Sequence, residues 1–303
     1  MKSLKTRKIV LLSSIAVLAL IYVMQLLFTG RSAVKTYEIE KDVTAIEIIS
    51  PSGTNRIACE DGKWFLGESR YPVSENRAGE FVKALKEIKV LGKASSSSDM
   101  DRYGLNEGAL IQVKAYCGEE LARSVSVGKN TTTGNQCYIM LDGKSDILLA
   151  QGALATTFSS SADDIRSKSV YKISDADVAG ASVVFDSTNY AVVKNVSGEG
   201  ELTVATWSLS GSDEKVDSSK VSAWIKSISN LLVDSWKEDS FVPDEASVKC
   251  TVTLKTSDKE IVVKIYSAKD EEQMLASCSE SKWAFMIPKY AGERFFKDLS
   301  ELK

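Results

Sequence analysis

The strongest constraint on this chain is the run Ile9–Phe28, IVLLSSIAVLALIYVMQLLF, twenty residues without a charge. Ser13, Ser14 and Gln25 are its only strongly polar members. A helix of that length spans about 30 Å, the thickness of a bilayer's hydrocarbon core. Lys2, Lys5, Arg7 and Lys8 precede it, against Arg31 and Lys35 after it. The positive-inside rule then predicts a cytoplasmic N-terminus and an extracytoplasmic body. A cleaved signal peptide has an apolar core of about 7–15 residues and an A-x-A exit. Here the run is longer, it leaves through Phe28-Thr29-Gly30-Arg31, and no cysteine follows as a lipoprotein signal requires. Residues 1–35 are therefore expected to be a cytoplasmic tip and a single-pass transmembrane anchor in the inner or plasma membrane, with its helix at about 9–28.

The body differs in charge. Residues 1–35 hold six basic and no acidic side chains; the remaining 268 carry 32 basic and 41 acidic ones, a net of −9. An acidic body argues against a nucleic-acid partner, which needs a basic footprint. The chain has no histidine. That excludes Ser-His-Asp triads, Cys-His dyads and His-ligated zinc. Its 44% hydrophobic and 26% charged residues are enough for packed cores, and the length suggests two of them.

Two stretches of the body resemble each other. Trp64-Phe65-Leu66 recurs as Trp207-Ser208-Leu209, 143 residues later. At the same offset Val73 and Ser74 meet Val216 and Asp217. Ala78, Phe81, Val82, Leu85 and Ile88 meet Val221, Trp224, Ile225, Ile228 and Leu231. These last positions have the spacing of one apolar helix face. Ser74 and Asp217 fall where an N-cap oxygen is wanted. Downstream the offset is 137, with Gln136 meeting Gln273 and Phe158 meeting Phe295; upstream it is 134, with Thr54-Asn55 meeting Thr188-Asn189. The change from 134 to 143 implies an insertion, placed in Asn195–Glu201. Self-similarity of this kind marks an internal repeat. The first lobe is expected over 36–172 and the second over 173–303.

Each lobe reads as strands around one long amphipathic helix and one short helix. In the first, Thr44–Ser50, Thr54–Cys59 and the Trp64 segment alternate as strands, and a helix is predicted over Ser74–Leu91. A polar linker follows at Ala94–Asp101, then strands at Ile111–Cys117, Leu121–Val127, Cys137–Leu141 and Ile147–Ala150, and a short helix at Ala153–Ser160. Asp142-Gly143 is a hairpin turn signal. The second lobe repeats this from Val178, with a last helix at Ala291–Leu299. The fold class is α+β, mainly antiparallel, behind an N-terminal transmembrane helix.

Candidate chemistry is sparse. Gly128–Gly134 (GKNTTTG) lacks the Gly-Lys-Ser/Thr ending and following helix of a phosphate-binding loop and reads as a hairpin loop. Ser169-Val-Tyr-Lys172 fits S-x-x-K, the Ser-Lys nucleophile pattern, without a K-T-G partner. Asp175/Asp177 and Asp270-Glu271-Glu272 lack an EF-hand pattern and read as solvated loop charge. Cys59, Cys117, Cys137, Cys250 and Cys278 contain no CxxC and read as free thiols acting as small apolar residues. Trp64, Trp207, Trp224 and Phe81 are expected in the core rather than in a ligand cage. No catalytic, cofactor-binding or metal-binding residue is assigned, and no cofactor is expected.

The order of several short motifs resembles a known family. The anchor precedes Trp64, the Val73-Ser74 helix start, Tyr103-Gly104-Leu105, Val127-Gly128, Gln136-Cys137-Tyr138-Ile139 and Arg166-Ser167-Lys168. This resembles the bacterial family catalogued as domain of unknown function 4340. One departure is Asn106-Glu107-Gly108 where the family has a proline. The resemblance implies a membrane-anchored protein found beside components of gliding-motility-type ABC transport systems, with no catalytic residues to carry over. The expected function is a non-catalytic, extracytoplasmic accessory protein of an ABC-type or gliding-like envelope complex, with the membrane and proteins of that complex as partners. The alternatives are a solute- or glycan-binding module using a cleft between lobes and, behind it, a Ser-Lys hydrolase.

Overall fold

The computed structural model describes residues 3–28, 34–96, 99–197, 204–266 and 272–303. Arg31, Asp270, Glu271, the Gly198–Glu201 part of the expected insertion and two of the linker serines lie outside them. The chain forms two compact units, Met1–Ile165 and Arg166–Lys303. The division falls before the expected 172/173 boundary because Ser169–Lys172 pairs with a strand at 230–232. Among the described residues every strand pairing is antiparallel, and the fold is mixed α/β behind one N-terminal apolar helix.

That helix is α1, Ser3–Phe28. Its window Arg7–Met24 has a mean hydropathy of 2.0, and none of it is buried. It is long and apolar enough to cross a membrane.

In the first unit the strands are β1 (Lys35–Glu38), β2 (Ala45–Ser50), β3 (Gly53–Glu60), β4 (Lys63–Leu66), β5 (Tyr71–Pro72), β6 (Glu87–Ser95), β7 (Ile111–Cys117), β8 (Glu120–Asn130), β9 (Gln136–Leu141) and β10 (Ile147–Gln151). They form one sheet in the order β1-β6-β10-β9-β8-β7-β2-β3-β4-β5. The helices are α2 (Glu75–Lys86), α3 (Met100–Tyr103), α4 (Leu154–Phe158) and α5 (Ala162–Ile165). Ala78, Phe81 and Leu85 turn the apolar face of α2 into the core, where Phe81 stacks on Phe158 of α4 with centroids 5.5 Å apart. Inward residues of the central strands, such as Ile46, Ile48, Val113, Val125 and Ile139, complete that core.

The predicted helix Ser74–Leu91 stops early. Glu87-Ile88-Lys89-Val90 alternates exposed and buried, a period of two, and pairs with β1 on one side and β10 on the other. Ile88 is buried as predicted, but from a strand. Ala94 and Ser95, expected in a linker, end that strand, and Met100 opens α3. Ser74 occupies the N-cap of α2 without a side-chain capping bond, contrary to expectation.

The second unit contains β11 (Ser169–Lys172), β12 (Val178–Phe185), β13 (Thr188–Ser197), β14 (Val204–Leu209), β15 (Asn230–Leu232), β16 (Ser235–Trp236), β17 (Val248–Thr256), β18 (Glu260–Tyr266), β19 (Gln273–Cys278) and β20 (Phe285–Pro288). Eight of these form a sheet in the order β14-β13-β12-β17-β18-β19-β20-β16, and β11 pairs with β15. Helix α6 (Ser218–Ile228) buries Val221, Trp224, Ile225 and Ile228, and Asp217 caps it through Ser219 N–H (2.8 Å) and Lys220 N–H (3.3 Å). The expected helix Ala291–Leu299 is instead a short α7 (Lys289–Gly292) and two 3₁₀ turns, Glu293–Phe295 and Leu299–Leu302.

One buried charge ties the first unit together. Arg123 of β8 points inward at 6% exposure. Its Nη1 donates to Tyr37 O (2.9 Å) and Leu85 O (2.8 Å), and its Nη2 to Glu38 O (3.2 Å). Leu85 O belongs to the last turn of α2, where carbonyls lack helical partners and a cation is favoured. Burial lowers the Arg123 pKa, opposed by the Asp142 charge.

Two substitutions test these roles by denaturant unfolding of the full chain, followed through tryptophan fluorescence. Arg123→Lys keeps the charge but not the fork, and is expected to cost about 1.5–3 kcal/mol. Trp207 is 6% exposed and donates Nε1–H to Ser222 Oγ at 3.0 Å, whereas Trp64 is half-buried at the core's margin. Trp207→Ala is therefore expected to cost about 3–5 kcal/mol, and Trp64→Ala less.

Candidate functional site

The family-like motifs gather into two knots. In the first, Gly104 adopts φ +68° as the left-handed C-cap of α3. A Cβ there would stand 2.9 Å from Lys129 N, and one on Gly128 would overlap the Tyr103 carbonyl oxygen. Both glycines are thus required by close backbone approach between α3 and β8. Tyr103 meets Tyr138 edge-on, centroids 4.9 Å apart, and Cys137 Sγ–H donates to Gly128 O at 3.4 Å. The turn that lacks a proline is built by Asn106: its Nδ2 donates to Asp101 Oδ1 (2.5 Å), and its carbonyl accepts from Ala109 and Leu110 N–H.

The second knot is Arg166-Ser167-Lys168. The buried Arg166 guanidinium lies over Trp236 (4.7 Å) and Trp283 (5.4 Å). Trp236 Nε1–H donates to Ser167 O (3.2 Å), Val233 N–H to Lys168 O (2.7 Å), and Lys168 Nζ to Asp234 O (3.0 Å). Sequence reasoning missed the Trp236–Trp283 cluster. These tryptophans lie outside any apolar periodicity, and only the Arg-Ser-Lys motif signalled it.

The other candidates stay apart. Of Gly128–Gly134, the first three residues end β8 and the rest form the hairpin loop to β9, closed by Thr131 N–H to Gln136 O (2.8 Å). Ser169 and Lys172 are exposed at the two ends of β11, about 10 Å apart at 3.3 Å per residue. Asp175 and Asp177 sit in a 3₁₀ turn capped by Ser174. Among the described residues no group of three or more His, Cys, Asp or Glu side chains is placed to hold a metal. Phe81, Trp207 and Trp224 are core residues, as expected.

Three thiols are buried and two, Cys59 and Cys117, are half-buried; all five are free. The expectation of buried apolar thiols thus holds for Cys137, Cys250 and Cys278. Burial pushes their pKa values up, to about 11 for Cys137, about 12 for Cys250 and about 11 for Cys278. A thiol is a nucleophile only as thiolate, so these three are inert in the folded chain.

Two grooves remain. In the second unit a cavity of about 350 Å³ opens between the Asn230–Asp234 segment and the start of α7, with Leu232, Pro288, Tyr290 and Arg294 on its walls. In the first, a cavity of about 290 Å³ lies between the end of α2 and Gln151–Leu154, bordered by Glu80, Lys83 and Glu87. Arg294 stands over the Tyr290 ring at 5.4 Å, and its Nη1 reaches Ser227 O at 3.5 Å. The second-unit groove combines apolar, aromatic and charged side chains, the mixture used by binding sites.

These features define a class: a mixed α/β protein of large antiparallel sheets, preceded by a helix able to cross a membrane, with grooves beside short helices. Residues 64–253 match the sequence model of the family described as Domain of unknown function (DUF4340), and the chain belongs to that family. No curated protein and no solved structure matches the chain.

The thiols generate a prediction with a definite sign. Their folded pKa values lie above the ordinary value of 9.0, so the folded state binds more protons between about pH 9 and 12. Their contribution to stability is complete below pH 9 and is lost as pH rises through 11–12. Denaturation midpoints are expected to fall over that range. Iodoacetamide at pH 8.5 is expected to label Cys59 and Cys117 in the native chain, and the other three only after unfolding.

Proposed function

We propose that this protein is a single-pass membrane protein whose extracytoplasmic body is a non-catalytic accessory subunit of an ABC-type transport or gliding-like envelope complex. The observation that carries the anchor is the exposure of α1: eighteen residues of mean hydropathy 2.0 with none buried. Such a surface is costly in water and is covered by a bilayer at no loss of backbone hydrogen bonds. The cationic flank of Lys2, Lys5, Arg7 and Lys8 supports a cytoplasmic N-terminus. Any ATPase of the complex belongs to another subunit, because the one glycine-rich candidate here is a hairpin loop.

The body is read as two copies of one unit. The strand orders support this: β4-β3-β2-β7-β8-β9-β10-β6 in the first unit parallels β14-β13-β12-β17-β18-β19-β20-β16 in the second. Register supports it more sharply. Leu148 pairs with Lys93 and Leu149 with Gly92, while Phe285 pairs with Trp236 and Met286 with Ser235. One side of each pair is displaced by 137 residues and the other by 143, the two offsets found in the sequence.

The test is crosslinking in native membranes, purification through a C-terminal tag and mass spectrometry of what comes along. An ABC permease and its ATPase are the expected companions. Recovery of the protein alone would overturn the accessory-subunit reading. Recovery in the soluble fraction with residues 1–28 removed would overturn the anchor.

A further inference from the structure

The groove of the second unit exists because a strand pairing is missing. In the first unit β6 is unbroken from Glu87 to Ser95, and Ala150 of β10 pairs with its Val90. In the second unit the corresponding segment is split into β15 and β16, and β20, paired with β19 on its other side, meets β16 but not β15. Asp234 N–H still donates to Met286 O (2.9 Å), but no pairing follows. Pro288 has no N–H to offer, and α7 begins at Lys289. The Lys168–Val233 and Lys168–Asp234 bonds hold β15 against β11 instead, away from β20.

This leaves a strand edge facing the groove. Ile173 N–H donates to Ser229 O (2.9 Å), and Val233 N–H to Lys168 O (2.7 Å). Hydrogen-bonded positions alternate along an antiparallel pair, with a β11 irregularity between Ser169 and Tyr171 taking up the odd residue. The backbone N–H and C=O of Asn230 and Leu232 therefore point away from β11, into the groove. No strand among the described residues pairs with that edge. Two large apolar side chains flank it, Leu232 at 53% exposure and Tyr290 at 65%.

The groove is short and closed at one end. Three residues of edge are about 10 Å long. Arg294 crosses the far end, from the 3₁₀ turn towards Ser227 O of α6. A strand passing through would collide with it; a chain terminus would not. Its guanidinium is exposed and positioned by Tyr290. A guanidinium is the natural partner of a carboxylate, which it can grip with two parallel bonds. The charge at the other end is Asp234, whose carboxylate already accepts from Gln273 Nε2. The first-unit groove has Thr157 at the position corresponding to Arg294 and no equivalent open edge.

We propose that this groove captures the C-terminal residues of a partner protein as an added strand on β15, with the terminal carboxylate on Arg294. Backbone bonds to Asn230 and Leu232 supply the affinity, and Leu232 and Tyr290 receive an apolar side chain, the usual division of labour in strand addition. The site stands on the groove alone and does not depend on the membrane or transport reading.

The probe is a random heptapeptide library displayed with free C-termini, panned on the full chain in lipid nanodiscs. Binding sequences are expected to be enriched over panning on Arg294→Gln, an exposed position whose fold is checked by its thermal melt. Synthetic versions of enriched peptides should bind wild type at least about tenfold tighter than Arg294→Gln. Their C-terminal amides should lose the same factor on wild type and nothing further on the variant. Methylating the backbone nitrogen that faces Leu232 should abolish binding, and hydrogen exchange should slow at Asn230 and Leu232. Should Arg294→Gln fail to fold, Tyr290→Ala serves as the comparison. Absence of enrichment, equal binding of acid and amide, or protection confined to the first unit would each overturn the proposal.

Discussion

The first unit is organised around a positive charge that has left water without meeting a carboxylate. The Arg123 guanidinium is held by the carbonyls of Tyr37, Glu38 and Leu85, which come from two distant parts of the chain: the end of β1 and the last turn of the long helix. The Leu85 carbonyl would otherwise be a buried acceptor. A guanidinium can serve all three because its donors lie in one rigid plane. That bond set ties β1, already laddered to β6, and the end of α2 to the central strand β8.

Legibility in the sequence tracked how local each signal was. The buried faces of α2 and α6 were readable because an apolar stripe at helical spacing fits little besides an amphipathic helix. The hairpins at Asp142-Gly143 and Gly128–Gly134 were readable from turn chemistry. The end of α2 was not. Leu85 and Ile88 continue a helical period even though Ile88 belongs to a strand, and the decision rests with β1 and β10, which are distant in sequence. Arg123 was equally hidden, because a lone arginine in an alternating strand looks like an exposed one. The half-buried state of Trp64 and the fully buried state of Trp207 differ through their neighbours, which a shared Trp-x-Leu pattern does not record.

The groove was legible only in part. Its walls come from a strand that breaks after Leu232 and from Pro288, and a proline at a strand's end is an ordinary observation by itself. Its meaning appears when the two units are compared. The same register holds at Met286 and Ser235 as at Leu149 and Gly92, and then one ladder continues while the other opens. The Arg166-Ser167-Lys168 motif draws β15 and β16 towards itself on the side opposite that opening. A motif with no chemistry of its own therefore helps to shape a groove that offers unpaired backbone.

The order of strands in the first sheet has a consequence for how the chain comes into being. β10 is the last strand made, yet it sits between β6 and β9, well inside the sheet. Fifty-one residues separate the end of β6 from its start. A chain emerging from its N-terminus thus holds a nine-residue strand with one edge open until residue 151 arrives. Neither zipping outward from a first hairpin nor growth strand by strand can close this sheet. Closure is a single late insertion, and distant pairings of this kind are slow to form. Until then the unit is a nascent chain with a sticky edge, the form of the protein most exposed to misassembly and most in need of a holding chaperone.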